Sequence, residues 1–336
     1  MVKITDVARH AGVSPSTVSY ALSGKRPISE ETRRRVHASI RALGYRPPAG
    51  ASVLGGGRAN LLALMVPLRA GTDLPGVMPF VMSVMTTARA YDHDVLLLTR
   101  EEGVDNLRRV AETASADALI LMDVRLDDPR LPLLRSLGRP AVAIGVPARP
   151  TGLTCVDLDF EAAGEACVDH LAGLGHRVVA LVGAPAEVYA RRTASAQRVV
   201  RGFTAAVGRH GLAGSVHPCE ATPAAARRVA ERLLRERPAP TGVLVHHEAV
   251  LDPLLRAFAQ LGVGVPDDLS VTAVCPAERA ESARVPLTSV AVPSAEIGAR
   301  AVELVLHRLN GDPAPSVTLL PPALTIRAST ASRTAG

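Results

Sequence analysis

Residues 4–22 read Ile-Thr-Asp-Val-Ala-Arg-His-Ala-Gly-Val-Ser-Pro-Ser-Thr-Val-Ser-Tyr-Ala-Leu, and no other stretch of this 336-residue chain leaves so few folding options. Val7, Ala8 and Ala11 recur at helical spacing and predict a buried stripe. Gly12 permits a tight turn and Val13 plugs its corner. Ser14 can cap a second helix, and Pro15 suits that helix's first position. Val18, Ala21 and Leu22 are its expected inward stripe. Its other face carries Pro15, Ser16, Ser19 and Tyr20, short or planar groups suited to a DNA groove. A third helix follows. Ser29 caps it, Glu30 and Glu31 suit its positive end, and Val36, Ile40 and Leu43 close a small core. Gly44 ends it and Pro47-Pro48 prevents its continuation. An ordinary helical hairpin explains a stripe, but not a turn, a cap and a stripe in agreement.

Charge follows the same division. Residues 1–58 hold 10 Lys and Arg against 3 Asp and Glu, a net of +7, whereas the whole chain is +6. All the excess positive charge therefore lies in the first sixth of the chain, the footprint of a phosphate-binding head on a near-neutral body. The N-terminus lacks an apolar signal core, and no apolar run is long enough to span a membrane. Cys155, Cys167, Cys219 and Cys275 show no metal spacing and read as free thiols of a cytoplasmic protein.

With 47% hydrophobic residues the chain can bury sizeable cores. Short apolar runs at 61–68, 95–99, 118–122, 141–146, 178–183, 242–246 and 270–275 predict strands. Helical patterns fall near 78–91, 104–114, 160–173, 197–209, 223–236, 249–261 and 294–309. Continuous apolar strands alternating with helices predict parallel sheets covered on both faces, here divided into two doubly wound α/β lobes. Ligands of such folds sit at the carboxyl ends of the strands, which places a ligand in the cleft between the lobes. The expected division is an all-α helix-turn-helix head over 1–46, a hinge or linker over 47–60 and a two-lobe body over 61–330.

These motifs resemble the LacI family of bacterial transcription repressors. The resemblance is carried by Ile4-Thr5-Asp6-Val7-Ala8, Ala11-Gly12-Val13-Ser14, Thr17-Val18-Ser19, Thr32-Arg33-Arg34-Arg35-Val36 and Leu43-Gly44-Tyr45-Arg46-Pro47. It continues through Leu174-Gly175-His176-Arg177, Gly202-Phe203, Val265-Pro266-Asp267-Asp268-Leu269-Ser270 and Pro286-Leu287-Thr288-Ser289-Val290. It implies a periplasmic-binding-protein-like effector body, crossovers between lobes near 148–153, 290–293 and 311–316, a homodimer and a hinge helix that folds on operator DNA. No heptad tail follows residue 330, which favours a dimer over a tetramer.

By that resemblance Pro15, Ser16 and Tyr20 match positions that vary with the operator, and Thr5, Ser14, Thr17 and Ser19 match positions that mostly hold phosphate. Leu54 matches a leucine that wedges into the minor groove at the operator centre. Around it Pro48, Ser52 and Gly55-Gly56-Gly57 depart from the family's hinge. In the effector pocket Phe80 keeps a lining position. The family's usual Arg is Val199 here, with Arg198 one step away; the usual Asn-Asp is His247-Glu248, and the usual Asp is Cys275. These changes imply that the pocket does not hold an unmodified hexose in the usual family manner. His247 and Glu248 suit instead a cationic, phosphorylated or mixed-polarity group.

Adjacent histidines at a strand end point to opposite sides, so His246 and His247 are not expected to share a metal ion, and no cofactor is expected. The chain has no GxxxxGK[ST] loop, GxSxG elbow or HExxH, so an enzyme is disfavoured. The expectation is a DNA-binding regulator modulated by a small molecule. The alternative keeps DNA binding but gives the pocket no effector, or a partner protein instead.

Overall fold

The computed structural model describes residues 2–23, 26, 28–45, 59–69, 73–100, 104, 107–108 and 116–333. Leu54, most of the linker and most of the helical pattern near 104–114 lie outside the described residues.

The head is three helices, α1 (Ile4–Ala11), α2 (Pro15–Ser23) and α3 (Glu30–Leu43). Gly12 adopts φ 66° and turns the chain between α1 and α2, a conformation that glycine reaches without a Cβ clash. Val7, Val18 and Val36 are wholly buried together. Leu22 is exposed, contrary to the expected stripe. The left-handed Gly44 folds the chain back after α3, so Tyr45 fills the core beside Ala21 instead.

The body has two six-stranded sheets. The first contains β1 (Leu61–Met65), β2 (Asp94–Leu98), β3 (Ala118–Leu121), β4 (Ala141–Ile144), β5 (Thr154–Leu158) and β11 (Val317–Leu320), in the order β11-β5-β4-β3-β1-β2. The second contains β6 (Val178–Gly183), β7 (Ala213–Pro218), β8 (Gly242–Val245), β9 (Ser270–Cys275), β10 (Thr288–Ala291) and β12 (Leu324–Thr325), in the order β12-β10-β9-β8-β6-β7. Every pairing is parallel except that of β10 with β12. β1, β3, β4, β6, β8 and β9 are buried along nearly their whole length, which is why they read as unbroken apolar runs.

Helices α4 (Leu74–Ala90) and α12 (Ser294–Asn310) pack together on the first sheet, and α6 (Phe160–Gly173) and α8 (Ala194–Arg209) on the second. The remaining helices are α5 (Arg130–Ser136), α7 (Ala186–Ala190), α9 (Pro223–Arg235), α10 (Glu248–Gln260) and α11 (Ala277–Ser282). One apolar cluster runs from Leu62 and Leu64 in the first lobe through Phe160 to Leu181 and Val274 in the second.

The chain crosses between lobes at Asp159, at 292–293 and at 321–323. The second crossing falls where expected. The first and third come later than 148–153 and 311–316, because β5 and β11 belong to the first sheet and pair with one another. A carboxylate, Asp157, interrupts the apolar run of β5, and β11 is only half-buried, so neither stood out as a strand.

Candidate functional site

In the head, α2 starts on a built cap. The Thr17 N–H donates to Ser14 Oγ at 3.1 Å, and the Ser14 hydroxyl also meets those of Ser16 and Thr17 at 2.8 Å. Ser14, Pro15 and Ser16 are exposed, Thr17, Ser19 and Tyr20 half-buried, and Thr5 is exposed on α1. The Tyr20 ring carries the Arg26 guanidinium 5.5 Å from its centroid, which brings a cation beside the aromatic group. Of the seven residues assigned here from sequence, Thr5 lies on α1 and the other six lie on α2 or at its start, where Val18 and Ala21 are the buried positions.

In the body, a cavity of about 590 Å³ lies between the lobes, within the range of about 300–1,000 Å³ common for small-molecule sites. Pro67, Arg69, Asp73, Phe80, Asp123 and Asp157 line it from the first lobe, and Phe160, Glu187, Arg191, His246, His247 and Glu248 from the second. Of the five positions expected to hold effector, Phe80, His247 and Glu248 are in this lining.

Arg198 and Cys275 are not in the lining, and each absence has a physical reason. Gly164 and Gly202 let α6 and α8 approach so closely that a Cβ on Gly202 would lie 1.9 Å from the Glu161 carbonyl oxygen. That contact buries Val199 completely and turns Arg198 away, where its guanidinium donates to the Val146 carbonyl at 3.3–3.4 Å and faces Glu161. Cys275 is buried in the core on the far face of β9, while its neighbour Val274 faces the cavity. The two-residue period of the strand sets that alternation. Two positions behind the expectation of a site unsuited to unmodified hexose therefore lie outside the cavity.

The two histidines do not diverge as expected. β8 ends at Val245 and His247 is already the N-cap of α10, so both rings line the cavity. His246 packs edge-on against Phe160, with ring centroids 5.5 Å apart. Burial pushes its pKa down to about 3, so the ring is neutral. Burial lowers that of His247 also, against the pull of Asp73.

Sequence reading found Glu248 but missed the aspartates Asp73, Asp123 and Asp157. Asp73, at the N-cap of α4, faces Glu248 across the cleft at hydrogen-bonding range. Gly76 makes this approach possible, since a Cβ there would lie 2.6 Å from Glu248 Oε1. Burial first, and then Asp73, push Glu248 up to about 7. Asp157 is raised to about 7 by burial, although it accepts the Leu158 N–H at 3.0 Å. Arg69 pairs with Asp123. Buried side-chain atoms around this space lack partners among the described residues: Nδ1 of His246 and His247, Nε of Arg191 and Oγ1 of Thr193. Unmatched buried groups are costly, and such a ring of donors and acceptors is one that a polar ligand can satisfy. Position at a strand's carboxyl end was the signal available for Asp157, and position before a Pro-containing helix start the signal for Asp73.

The family model described as bacterial regulatory proteins of the lacI family matches residues 3–48, and the periplasmic binding protein-like domain matches residues 168–330. The HTH-type transcriptional regulator AglR of Rhizobium meliloti is 32% identical over 340 residues, covering 98% of this chain and 94% of its own. The regulator RafR of Escherichia coli is 34% identical over 217 residues, 61% of each chain. Among solved structures, the lac repressor dimer bound to operator and the anti-inducer ONPF superposes with a TM-score of 0.82 at 24% identity, covering 98% of this chain and 99% of that one. A complex of the transcriptional regulator CelR with cellobiose gives 0.69 at 24% identity, over 98% and 100%. A head that presents a capped recognition helix, a two-lobe body and a relative aligned end to end lead to one conclusion: the chain belongs to the lacI family of DNA-binding bacterial transcription regulators.

Proposed function

We propose that this protein is a dimeric repressor that reads a near-palindromic operator and changes its grip when a saccharide occupies the cleft. In this reading it works in the cytoplasm and performs no catalysis. Pro15, Ser16 and Tyr20 read bases, Thr5, Ser14, Thr17 and Ser19 hold phosphates, and Leu54 enters the minor groove at the operator centre.

The observation that carries the effector half is the cavity itself, enclosed by both lobes and lined by carboxylates and two phenylalanines. Carboxylates accept hydrogen bonds from hydroxyls, and a polyhydroxylated ligand needs many such acceptors in one enclosed place. The relative solved with cellobiose supports the ligand class.

Dimerisation is supported by α4. Leu74, Met78, Met82 and Met85 make a helical stripe, and with Leu96 and Leu97 of the edge strand β2 all are at least 40% exposed. Apolar groups clustered in this way mark an interaction surface. The opposite side of α4 supplies Val77 and Phe80 to the cavity, so one helix serves both ligand and partner.

The test is operator binding by fluorescence anisotropy against a panel of neutral mono- and disaccharides. At least one is expected to change operator affinity tenfold or more, with the response lost in His247→Ala while sugar-free DNA binding is kept. A saccharide that saturates the cleft by calorimetry yet leaves operator affinity unmoved would contradict the proposal.

A further inference from the structure

Residues 46–58 join the head to the body, and Ala59 and Asn60 lead directly into β1. Asp117, immediately before β3, grips this entry. Its Oδ1 accepts the Ala59 N–H at 3.0 Å, and its Oδ2 accepts the Leu61 N–H at 3.2 Å. Its own N–H donates to the Leu61 carbonyl at 2.7 Å. From the other side of β1, the Asp94 N–H at the start of β2 donates to the Asn60 carbonyl at 2.8 Å. Three consecutive residues are thus held from both neighbouring strands.

The bonds to the two carbonyls continue the parallel ladders, in which Leu61 stands opposite Asp94 and Leu62 opposite Ala118. The Ala59 and Leu61 N–H groups go instead to one side chain. A carboxylate oxygen is a stronger acceptor than a neutral carbonyl, and two bonds to one planar group fix a direction that a single bond would leave free. Asn60, between the two gripped residues, has φ 52°, a left-handed conformation that Asn tolerates better than most residues. The chain therefore turns at the point that the carboxylate spans. Among the described residues Asp117 makes no ion pair, so its side chain is given over to this grip. The grip is seated on β1 and β3, which are buried along nearly their whole length, and such strands are among the last parts of a protein to open.

We propose that Asp117 is a positioning residue for operator binding: it fixes the direction in which the linker leaves the body, and so the separation at which two heads of a dimer can bind. The proposal rests on the reading of the protein as a dimer on a near-palindromic site. The heads of such a dimer meet half-sites about 34–36 Å apart. How much misplacement a tethered head tolerates depends on the length and stiffness of its tether. With Ala59 and Leu61 held, the tether begins at a fixed point with a fixed heading, and one half-site spacing is favoured. With both released, the tether is longer and its heading free, so several spacings are reached and none is favoured. A role confined to the stability of the body would instead lower affinity on every spacing alike.

Full-length wild type, Asp117→Ala, Asp117→Asn and Asp94→Asn are compared on the palindrome that wild type selects from a random DNA pool, and on derivatives with base pairs inserted or removed at its centre. Wild type is expected to lose about tenfold or more in affinity on the altered spacings. Asp117→Ala is expected to bind the parent palindrome less tightly and to be nearly indifferent to spacing. Asp117→Asn, which keeps one acceptor oxygen, is expected to fall between the two. Asp94→Asn removes the same charge from the same end of the sheet but keeps the backbone bond, and is expected to retain wild-type selectivity. Sedimentation and thermal melts check that each variant is a folded dimer, and Asp117→Asn carries the test if Asp117→Ala folds poorly. Spacing selectivity shared equally by wild type and the Asp117 variants, or an equal loss on every spacing, overturns the role. An Asp94→Asn that behaves like the Asp117 variants assigns the effect to charge and overturns it too. Failure of the dimeric reading is a different result: wild type binds a single half-site as one chain, and this inference falls with it.

Discussion

Glu248 stands where two lobes bring two carboxyl groups together, and its raised pKa has a consequence for stability. A carboxyl whose folded pKa, about 7, exceeds its unfolded value holds a proton in the folded protein that the open chain has lost. Its favourable contribution is complete below about pH 4.5 and is lost as pH rises through about 7. Glu248→Gln is therefore expected to stabilise the ligand-free protein at pH 8 by about 1 kcal/mol, a figure reduced for partial solvent screening. The gain should vanish near pH 4.5. Thermal melts across that range check it; a gain independent of pH would mean that titration of Glu248 is not the cause. In the head, Tyr20→Ala is expected to relax base preference at one symmetric pair of operator positions by about 1–3 kcal/mol. Equal losses on every DNA sequence, measured by competition binding, would assign Tyr20 to phosphate or to packing instead.

At the scale of elements, α4 joins the cavity to an exposed apolar stripe. Met82→Glu places a charge at the centre of that stripe, on a side chain 51% exposed, so folding should survive while association fails. Sedimentation is expected to show a shift from dimer to monomer and a matching loss of operator affinity; an unchanged dimer would move the interface elsewhere. The elements themselves were mostly legible. The pattern over 160–173 became α6 with the same bounds, and the run at 270–275 became β9, because both are amphipathic or fully buried and so carry a clean period. β5 and β11 were hidden, one by Asp157 and the other by half-exposure, and with them went two crossovers and one lining carboxylate. The pocket was less legible than the fold for the same reason. Whether Cys275 or Val274 faces the cleft depends on strand register, and whether Arg198 enters it depends on how closely two glycines let α6 meet α8. Long-range packing of that kind leaves little periodic trace in a sequence.

At the scale of the molecule, a basic three-helix head is joined to a body whose lobes share an apolar cluster and line a cavity between them. Phe160, beside the first crossover, packs against His246 in the cleft. Leu54 is proposed to enter the minor groove at the operator centre. Leu54→Ala is expected to weaken operator binding far more than binding to random DNA, since only a centred, bent site accepts a wedge. Equal losses on both, in salt-matched titrations, would remove that role. Two heads are expected to read one symmetric site. In vitro selection of DNA from a random pool by the full-length protein tests it most directly. A near-palindrome is expected to be enriched, its half-sites bound together by two chains. Enrichment of a single asymmetric half-site bound by one chain, or no enrichment at all, would contradict it.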